Sequence, residues 1–71
     1  MVAQRLFQLR KEAGLSQEKV ARAIDTTLRQ YQRFEHGEQK PGYQKLIDLA
    51  NVFQVSLDYL VGRSETRDFV P

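Results

Sequence analysis

Residues 16–37 read SQEKVARAIDTTLRQYQRFEHG, and this stretch decides the fold of the chain. Ser16 and Thr27 each suit the position before a helix, because their hydroxyls can accept hydrogen bonds from backbone amides of the first turn. Asp25 interrupts the apolar pattern between them and tolerates left-handed backbone better than most residues. Gly37 suits the end of the second helix. The stretch therefore predicts two short helices, separated by a tight turn and closed by a glycine.

A helical wheel shows which side of the second of these helices, residues 27–35, faces outward. Tyr31 and Phe34 are its large apolar side chains and belong in the core. The opposite side then carries a strip of four residues: Leu28, Arg29, Gln32 and Arg33. Arg29 can donate two hydrogen bonds to a guanine and Gln32 can pair with an adenine, so the strip suits base edges in the major groove of DNA. On an isolated helix such a strip would more often be ordinary solvated surface, but the capped helix and turn before it favour a helix-turn-helix.

Three further helices are predicted outside this stretch, and no segment alternates convincingly in the manner of a strand. Apolar residues recur at helical spacing in residues 2–13 and 43–53, and a short helix is expected over residues 56–61. The expected fold class is therefore all-α, a compact domain of five helices. We expect that domain to occupy residues 1–62 and the polar residues 63–71 to form a flexible tail.

Composition limits the classes of protein to which the chain can belong. Its 71 residues make one domain, with eleven Lys and Arg against nine Asp and Glu and with no cysteine. Disulfides are therefore excluded, and His36, the one histidine, cannot form a metal site alone. The apolar runs are too short to span a membrane, and the N-terminus lacks the apolar stretch of a signal peptide. We expect a soluble, cytoplasmic protein without a metal or cofactor.

Catalysis is not expected from this sequence. No nucleophile is paired with a histidine, and no glycine-rich loop is suited to bind phosphates. The carboxylates of Asp25, Glu35 and Asp48 are scattered along the chain and have structural explanations. A chain of this length also has little room for a substrate pocket. We therefore expect neither an enzyme nor a site for a small-molecule effector.

Three stretches in this order resemble the lambda-repressor-like, Cro-type helix-turn-helix family: GLSQEKVA (14–21), RFEHG (33–37) and VSLDYLVG (55–62). The similarity extends over residues 2–62, and the combination is more specific than any single stretch. It implies a five-helix domain that binds double-stranded DNA through its third helix and regulates transcription, most simply as a repressor. Because one such helix touches only a few base pairs, we expect a homodimer that reads a palindrome in successive major grooves, about 34 Å apart.

The resemblance also assigns roles to individual residues. Base reading is assigned to the start of the third helix and to its next turn, which here are Thr27, Leu28, Arg29, Gln32 and Arg33. Phosphate binding is assigned to Gln17, His36 and Lys40. Gln30, on the shoulder of the third helix, completes the predicted phosphate-binding set. Arg10 and Glu35 occupy positions that often form a partly buried ion pair in this family, and we expect this structural pair to join the first helix to the third.

Two features depart from the pattern of the family. The turn usually carries glycine followed by an aliphatic residue, whereas this chain has Asp25 and Thr26, which weakens the small apolar anchor of the turn. Phe7 stands where the family commonly has a polar residue. We expect Phe7 to widen the core stripe of the first helix, and the alternative is contact with Phe69 of the tail or with a partner protein.

Two further interpretations concern partners of the chain. The dimer surface is expected on an exposed flank of the last helix near Tyr59 and Val61, and the alternative for both residues is core packing against the first helix. Antitoxins of toxin–antitoxin pairs often use this same domain, bind their own operator and also bind a toxin. In that alternative function, Phe69 and Val70 of the tail form a docking peptide.

Overall fold

The five helices expected from the sequence form, and the all-α fold class is confirmed. A computed structural model describes residues 2–68 of the chain, and within that range all regular secondary structure is helical. In chain order the helices are α1 (Val2–Ala13), α2 (Gln17–Ala23), α3 (Leu28–His36), α4 (Tyr43–Phe53) and α5 (Leu57–Leu60). No helix among these described residues is both long enough and apolar enough to cross a membrane.

Three of the helices begin at capping hydroxyls. Ser16, Thr27 and Ser56 have extended backbone, and each side-chain oxygen accepts a hydrogen bond from the amide three residues later, at 3.0–3.1 Å. Each bond satisfies a backbone donor that has no partner within the helix. The first residue of α3 is therefore Leu28, with Thr27 as its cap, and Gly37 ends the helix with φ +77°.

The turn between α2 and α3 forms without the glycine that is usual at its first position. Asp25 adopts left-handed backbone with φ +57°, and the amide of Thr26 donates to the carbonyl of Ala21 at 2.9 Å. The ammonium of Lys45 on α4 also donates to the carbonyls of Ile24 and Asp25. A cation at this position stabilises the exposed carbonyls at the C-terminal end of α2. Backbone hydrogen bonds and Lys45 thus hold the turn that the sequence left uncertain.

The core lies where all five helices meet. Its most deeply buried side chains come from all of them: Leu6, Val20, Ile24, Tyr31, Leu49 and Leu60. Helix α3 packs against both α1 and α2, and α4 packs against α5. The direction in which α3 faces is consequently fixed by packing on two sides.

Two expectations about aromatic side chains are wrong. Phe7 does not widen the core stripe, because the residue is 51% exposed, whereas Leu6 on the core face of α1 is fully buried. Its neighbours are the charged groups of Arg10 and Lys11, 5.7 and 5.9 Å from the ring centroid. Tyr59 is not on an exposed flank of α5, since only 6% of the residue is accessible. The alternative, packing in the core, holds for Tyr59.

The tail folds back on the helices as far as Asp68. Arg67 donates to both carboxylate oxygens of Glu12, at 2.7 and 3.2 Å, and to the hydroxyl of Tyr59 at 3.0 Å. The guanidinium of Arg5 lies 3.9 Å from the centroid of the Tyr59 ring, and that of Arg67 lies 5.1 Å from it. Flexibility of the tail stays a prediction, and the proposed contacts of Phe69 and Val70 lie outside the described residues.

Candidate nucleic-acid interface

The exposed side of α3 presents the residues to which base reading was assigned. Thr27, Leu28 and Arg29 are exposed at its start, and Gln32 and Arg33 are half-buried one turn later. On the opposite side of the helix, Tyr31 and Phe34 are buried, with 0% and 3% of the residue exposed. This anchoring holds the outer strip in one rotational setting, which is what a surface for reading base edges requires.

One shallow depression gathers most of this strip. It is lined by two arginines, a glutamine, a histidine and one acid: Arg29, Gln32, Arg33, His36 and Glu38. The two guanidiniums and the amide supply donors suited to guanine O6 and N7, to adenine N7 and to phosphate oxygens. Glu38 was not singled out in the sequence, and its charge disfavours a phosphate beside it. It lies on the loop after α3, so the wheel of that helix could not have placed it.

The four residues assigned to phosphates do not share one surface. His36 is exposed, and its Nδ1 atom lies 3.6 Å from a carboxylate oxygen of Glu38, a contact that attracts only when the imidazole is protonated. Gln30 is half-buried on the shoulder of α3. Lys40 is exposed but lines a different depression, together with Pro41 and other apolar residues. The structure therefore brings His36 together with the base-reading strip and leaves Lys40 apart from it.

Arg10 and Glu35 meet beneath the strip in a two-pronged ion pair. The Nε and Nη2 atoms of Arg10 donate to the two carboxylate oxygens of Glu35, at 2.8 and 2.7 Å. Burial disfavours the charged carboxylate, but the hydrogen bonds and charge of Arg10 outweigh that effect, so the pKa of Glu35 lies below its ordinary value of 4.5. Glu35 is therefore an anion at neutral pH, fixed on the inner side of the recognition surface.

Gln17 links this ion pair to the strip. Its Nε2 atom donates to a carboxylate oxygen of Glu35 at 3.3 Å, and its Oε1 atom accepts from Nε2 of Gln32 at 3.2 Å. No sequence pattern predicts this link, because Gln17 and Gln32 lie on different helices and no periodicity relates them. A knowledge of how α2 crosses α3 would have been needed to find it.

The described residues do not gather the ligands of a metal ion. No group of three or more His, Asp or Glu side chains in residues 2–68 comes together in that way. The chemistry that the site offers is hydrogen bonding and positive charge on the exposed side of a short helix.

The sequence and the fold agree with one family of known proteins. A model of the helix-turn-helix family matches residues 6–60. The chain belongs to this family, in its XRE-type, lambda-repressor-like branch. The family consists of DNA-binding transcriptional regulators from bacteria and phages, which is not an enzyme class.

Two curated relatives are similar to nearly the whole of this chain. The chain is 38% identical over 68 residues to the uncharacterized HTH-type transcriptional regulator YobD of Bacillus subtilis, covering 96% of the chain and 61% of YobD. It is 32% identical over 65 residues to the cryptic phage CTXphi transcriptional repressor RstR of Vibrio cholerae, covering 92% of the chain and 58% of RstR. The chain thus spans about three fifths of the length of these relatives.

A solved structure confirms the fold independently. The crystal structure of the P22 c2 repressor in complex with a synthetic operator superposes with a TM-score of 0.85, over 90% of this chain and 97% of that one. The identity is 22%, so the likeness concerns the arrangement of the helices. The two chains therefore share one fold.

Proposed function

We propose that this chain binds a specific double-stranded DNA sequence as a homodimer and represses transcription, with α3 in the major groove. The observation that carries the proposal is the outer side of α3, where Arg29, Gln32 and Arg33 line one depression while Tyr31 and Phe34 anchor the opposite side. The family supports this, since RstR is a transcriptional repressor and the P22 c2 repressor was crystallised with an operator. A cytoplasmic location suits such a function.

Within this proposal the predicted residues divide into two sets. Base reading belongs to Thr27, Leu28, Arg29, Gln32 and Arg33, because these residues occupy the start and the outer side of α3. Phosphate binding belongs to Gln17, Gln30 and His36 beside that strip, and to Lys40 in a separate depression. We assign the DNA-binding domain to residues 1–62 and the tail to residues 63–71.

The size of α3 argues for two copies on the DNA. Its nine residues span about 14 Å at 1.5 Å per residue, so one helix contacts only a few base pairs. A two-fold pair of such helices would read a palindrome with half-sites about 34 Å apart. The half-buried Val61, next to α5, remains within the proposed dimer surface, whereas the buried Tyr59 does not.

The first experiment measures sequence-specific binding directly. Fluorescence anisotropy is recorded for the chain with the DNA upstream of its own gene and with a scrambled duplex, at two salt concentrations. Binding to the upstream DNA that is at least ~10³-fold tighter than to the scrambled duplex supports a sequence-specific, autoregulating protein. Equally weak, salt-sensitive binding to both duplexes, and no preferred sequence after selection from random duplexes, would contradict the proposal.

Two arginines then separate base reading from general charge. Arg29→Ala removes a donor from the strip, and we expect it to weaken operator binding by about 1–3 kcal/mol and to relax the preference at one base pair. The matched control is Arg22→Ala, since Arg22 is an exposed arginine of α2 that pairs with Glu18 and lies outside the strip. An equal loss on operator and random DNA would show that Arg29 contacts only phosphate.

Lys40 tests the phosphate set. Lys40→Ala is expected to weaken binding to all sequences similarly and to make the slope of log K against log salt shallower by about one unit. The measurement is the same titration over several salt concentrations. An unchanged slope removes Lys40 from the proposed phosphate contacts, which its position in a separate depression makes a sharp test.

One observation favours a second function, an antitoxin-type module that also binds a partner protein. Phe7 is 51% exposed on α1, outside the base-reading strip, and Arg10 and Lys11 flank its ring. Co-purification of the product of a neighbouring gene, lost in Phe7→Gln with operator binding intact, would support that function. Operator binding without any co-purified partner protein would favour the repressor function over the antitoxin-type function.

A further inference from the structure

We propose that Glu35 and Gln17 position the amide of Gln32, so that a buried carboxylate decides which atoms Gln32 presents to a DNA base. This inference rests on the proposed function, because it concerns how one residue of the strip reads DNA. The three side chains form a chain of hydrogen bonds from the core to the outer side of α3, with Gln17 between the other two. We call this series of three hydrogen-bonded side chains the amide relay.

The relay starts at the carboxylate of Glu35, whose two oxygens can only accept hydrogen bonds. Glu35 receives two hydrogen bonds from Arg10 and is ionised, and an ionised carboxylate has no hydrogen to donate. The atom of Gln17 that lies 3.3 Å from Glu35 must therefore be its Nε2 and not its Oε1. The two ends of a glutamine amide have nearly the same size and shape, and here the carboxylate selects between them.

The orientation of Gln17 then selects the orientation of Gln32. With Nε2 turned to Glu35, Gln17 offers Oε1 to its other neighbour, and an amide oxygen only accepts. Gln32 must meet it with Nε2, at 3.2 Å. Both glutamines are half-buried and Glu35 is 6% exposed, so water competes less with these bonds than on an open surface.

The relay determines which hydrogen-bonding atoms Gln32 presents to the groove. One hydrogen of its Nε2 is used by Gln17, while the second hydrogen and the oxygen Oε1 stay available. That remaining donor–acceptor pair matches N7 and N6 of adenine, whereas the O6 and N7 atoms of guanine both accept and would leave Oε1 without a donor. Without Gln17, the amide of Gln32 turns freely and discriminates less between these bases. Gln17 is thus a positioning residue for Gln32, in addition to its proposed phosphate contact.

The test compares base preferences for methionine variants. Methionine has nearly the length of glutamine and no amide, so Gln17→Met interrupts the relay without adding charge and leaves Arg10 on Glu35. Each variant is titrated against the operator and against duplexes in which every position is changed in turn to the other three base pairs. Far-UV circular dichroism and the unfolding midpoint establish that each variant is folded.

The relay predicts effects at one base pair. Gln32→Met is expected to lose a preference of about 5–150-fold at that pair, the range for one bidentate contact. Gln17→Met is expected to lower the preference at the same pair by several-fold and to leave the preferences at other positions unchanged. In the Gln32→Met background, Gln17→Met should change no preference further. Gln44→Met, at an exposed glutamine of α4 outside both the relay and the DNA-binding residues, is the matched control and should alter no preference.

Several outcomes overturn the inference. If Gln17→Met weakens binding to all duplexes equally and keeps the wild-type preference at every position, Gln17 contacts a phosphate and does not position Gln32. Gln32→Met with wild-type preferences shows that there is no base contact to position. Failure of the proposed function is distinguishable, because the wild-type chain would then show no preferred sequence at all.

The free protein gives a second readout that does not need DNA. The side-chain amide hydrogens of Gln32 are expected to exchange more slowly with water than those of the exposed Gln39, and to shift on Gln17→Met. Identical Gln32 amide signals in the wild type and in the folded Gln17→Met variant would overturn the relay.

Discussion

Two ion pairs in this molecule have nearly the same geometry and different surroundings. In both, an arginine grips a carboxylate with two nitrogens: Arg10 holds Glu35 at 2.7 and 2.8 Å, and Arg67 holds Glu12 at 2.7 and 3.2 Å. The side chains of the first pair are 12% and 2% accessible, and those of the second are 43% and 47% accessible. The first pair joins α1 to the recognition helix, and the second joins α1 to the tail.

The comparison shows that burial, and not the length of the hydrogen bonds, determines how strongly the two partners of such an ion pair depend on each other. At the surface, water and salt screen the charges, and the ordering of two long side chains offsets much of the attraction. In the interior neither charge has water as an alternative, so each depends on the other. The buried pair therefore also fixes its neighbours, as Gln17 shows, whereas the surface pair fixes only the path of the tail.

The largest expected effect comes from removing one partner of the buried pair. Arg10→Met leaves the carboxylate of Glu35 without its cation and removes the hydrogen bond of Arg10 to the carbonyl of Leu15. We expect the free energy of unfolding, measured in urea, to fall by about 3–5 kcal/mol. That is a large share of the stability of a domain of this size.

A double variant keeps this prediction testable if Arg10→Met does not fold. Replacing both partners with methionine removes the unpaired charge, so the double variant is expected to be more stable than Arg10→Met alone. If the double variant is the less stable of the two, the cost does not come from a stranded charge. A loss below about 1 kcal/mol in Arg10→Met would place the buried pair in the class of surface pairs.

The next effect is a loss of stability in acid. The folded-state pKa of Glu35 lies below 4.5, so the contribution of its charge is fully present above that pH and is lost as the pH falls through the lowered value. We expect the free energy of unfolding to fall more steeply below pH 4.5 in the wild type than in the double methionine variant. Parallel slopes for the two proteins would show that Glu35 is not the group responsible.

Glu12 adds to the same trend and needs its own control. The hydrogen bonds from Arg67 lower the pKa of Glu12 as well. The charged form of this surface carboxylate therefore also stabilises the fold, and that contribution is lost when Glu12 is protonated in acid. Glu12→Gln removes its titration while the buried pair stays intact. The acid slope of Glu12→Gln is expected to stay close to that of the wild type, because the exposed pair is screened.

The residues of the buried pair were accessible to sequence reasoning, and those of the surface pair were not. Capping hydroxyls, glycines and helical spacing are local, so they placed the helices and the outer strip of α3. The Arg10–Glu35 contact came from resemblance to a family. The tail contact joins residues 55 positions apart, and a polar composition gave no sign that Arg67 would return to Glu12.

The wrong expectations have a common physical cause. A helical wheel gives the direction of Phe7 and Tyr59 from their helix axes, but not which other element covers them. Phe7 is 51% exposed, whereas Tyr59 is covered because Arg5 and Arg67 of the tail lie on its ring. The amide relay was missed for the same reason, since it depends on how two helices cross.

A smaller effect is expected when the surface pair is broken. Arg67→Met removes the contact to Glu12 and the hydrogen bond to Tyr59 but strands no charge away from water. We expect a loss of stability several-fold smaller than in Arg10→Met, and one that shrinks as salt is added. The measurement is urea unfolding of the two variants at low and high ionic strength. A salt-independent loss as large as that of Arg10→Met would break the comparison.

The smallest effect concerns a hydroxyl beside the buried pair. The hydroxyl of Tyr31 is buried next to Glu35 and Arg10 but makes no hydrogen bond of good geometry within the described residues, and burial raises its pKa, so it stays neutral. The charged neighbours offset part of the cost of burying this hydroxyl, so Tyr31→Phe is expected to leave the free energy of unfolding unchanged or to raise it by less than about 1 kcal/mol. Tyr43→Phe, at an exposed tyrosine, is the matched control and should change nothing. If Tyr31→Phe instead destabilises the chain by more than about 1 kcal/mol, the hydroxyl bonds to its charged neighbours, and the buried pair is a network of three residues.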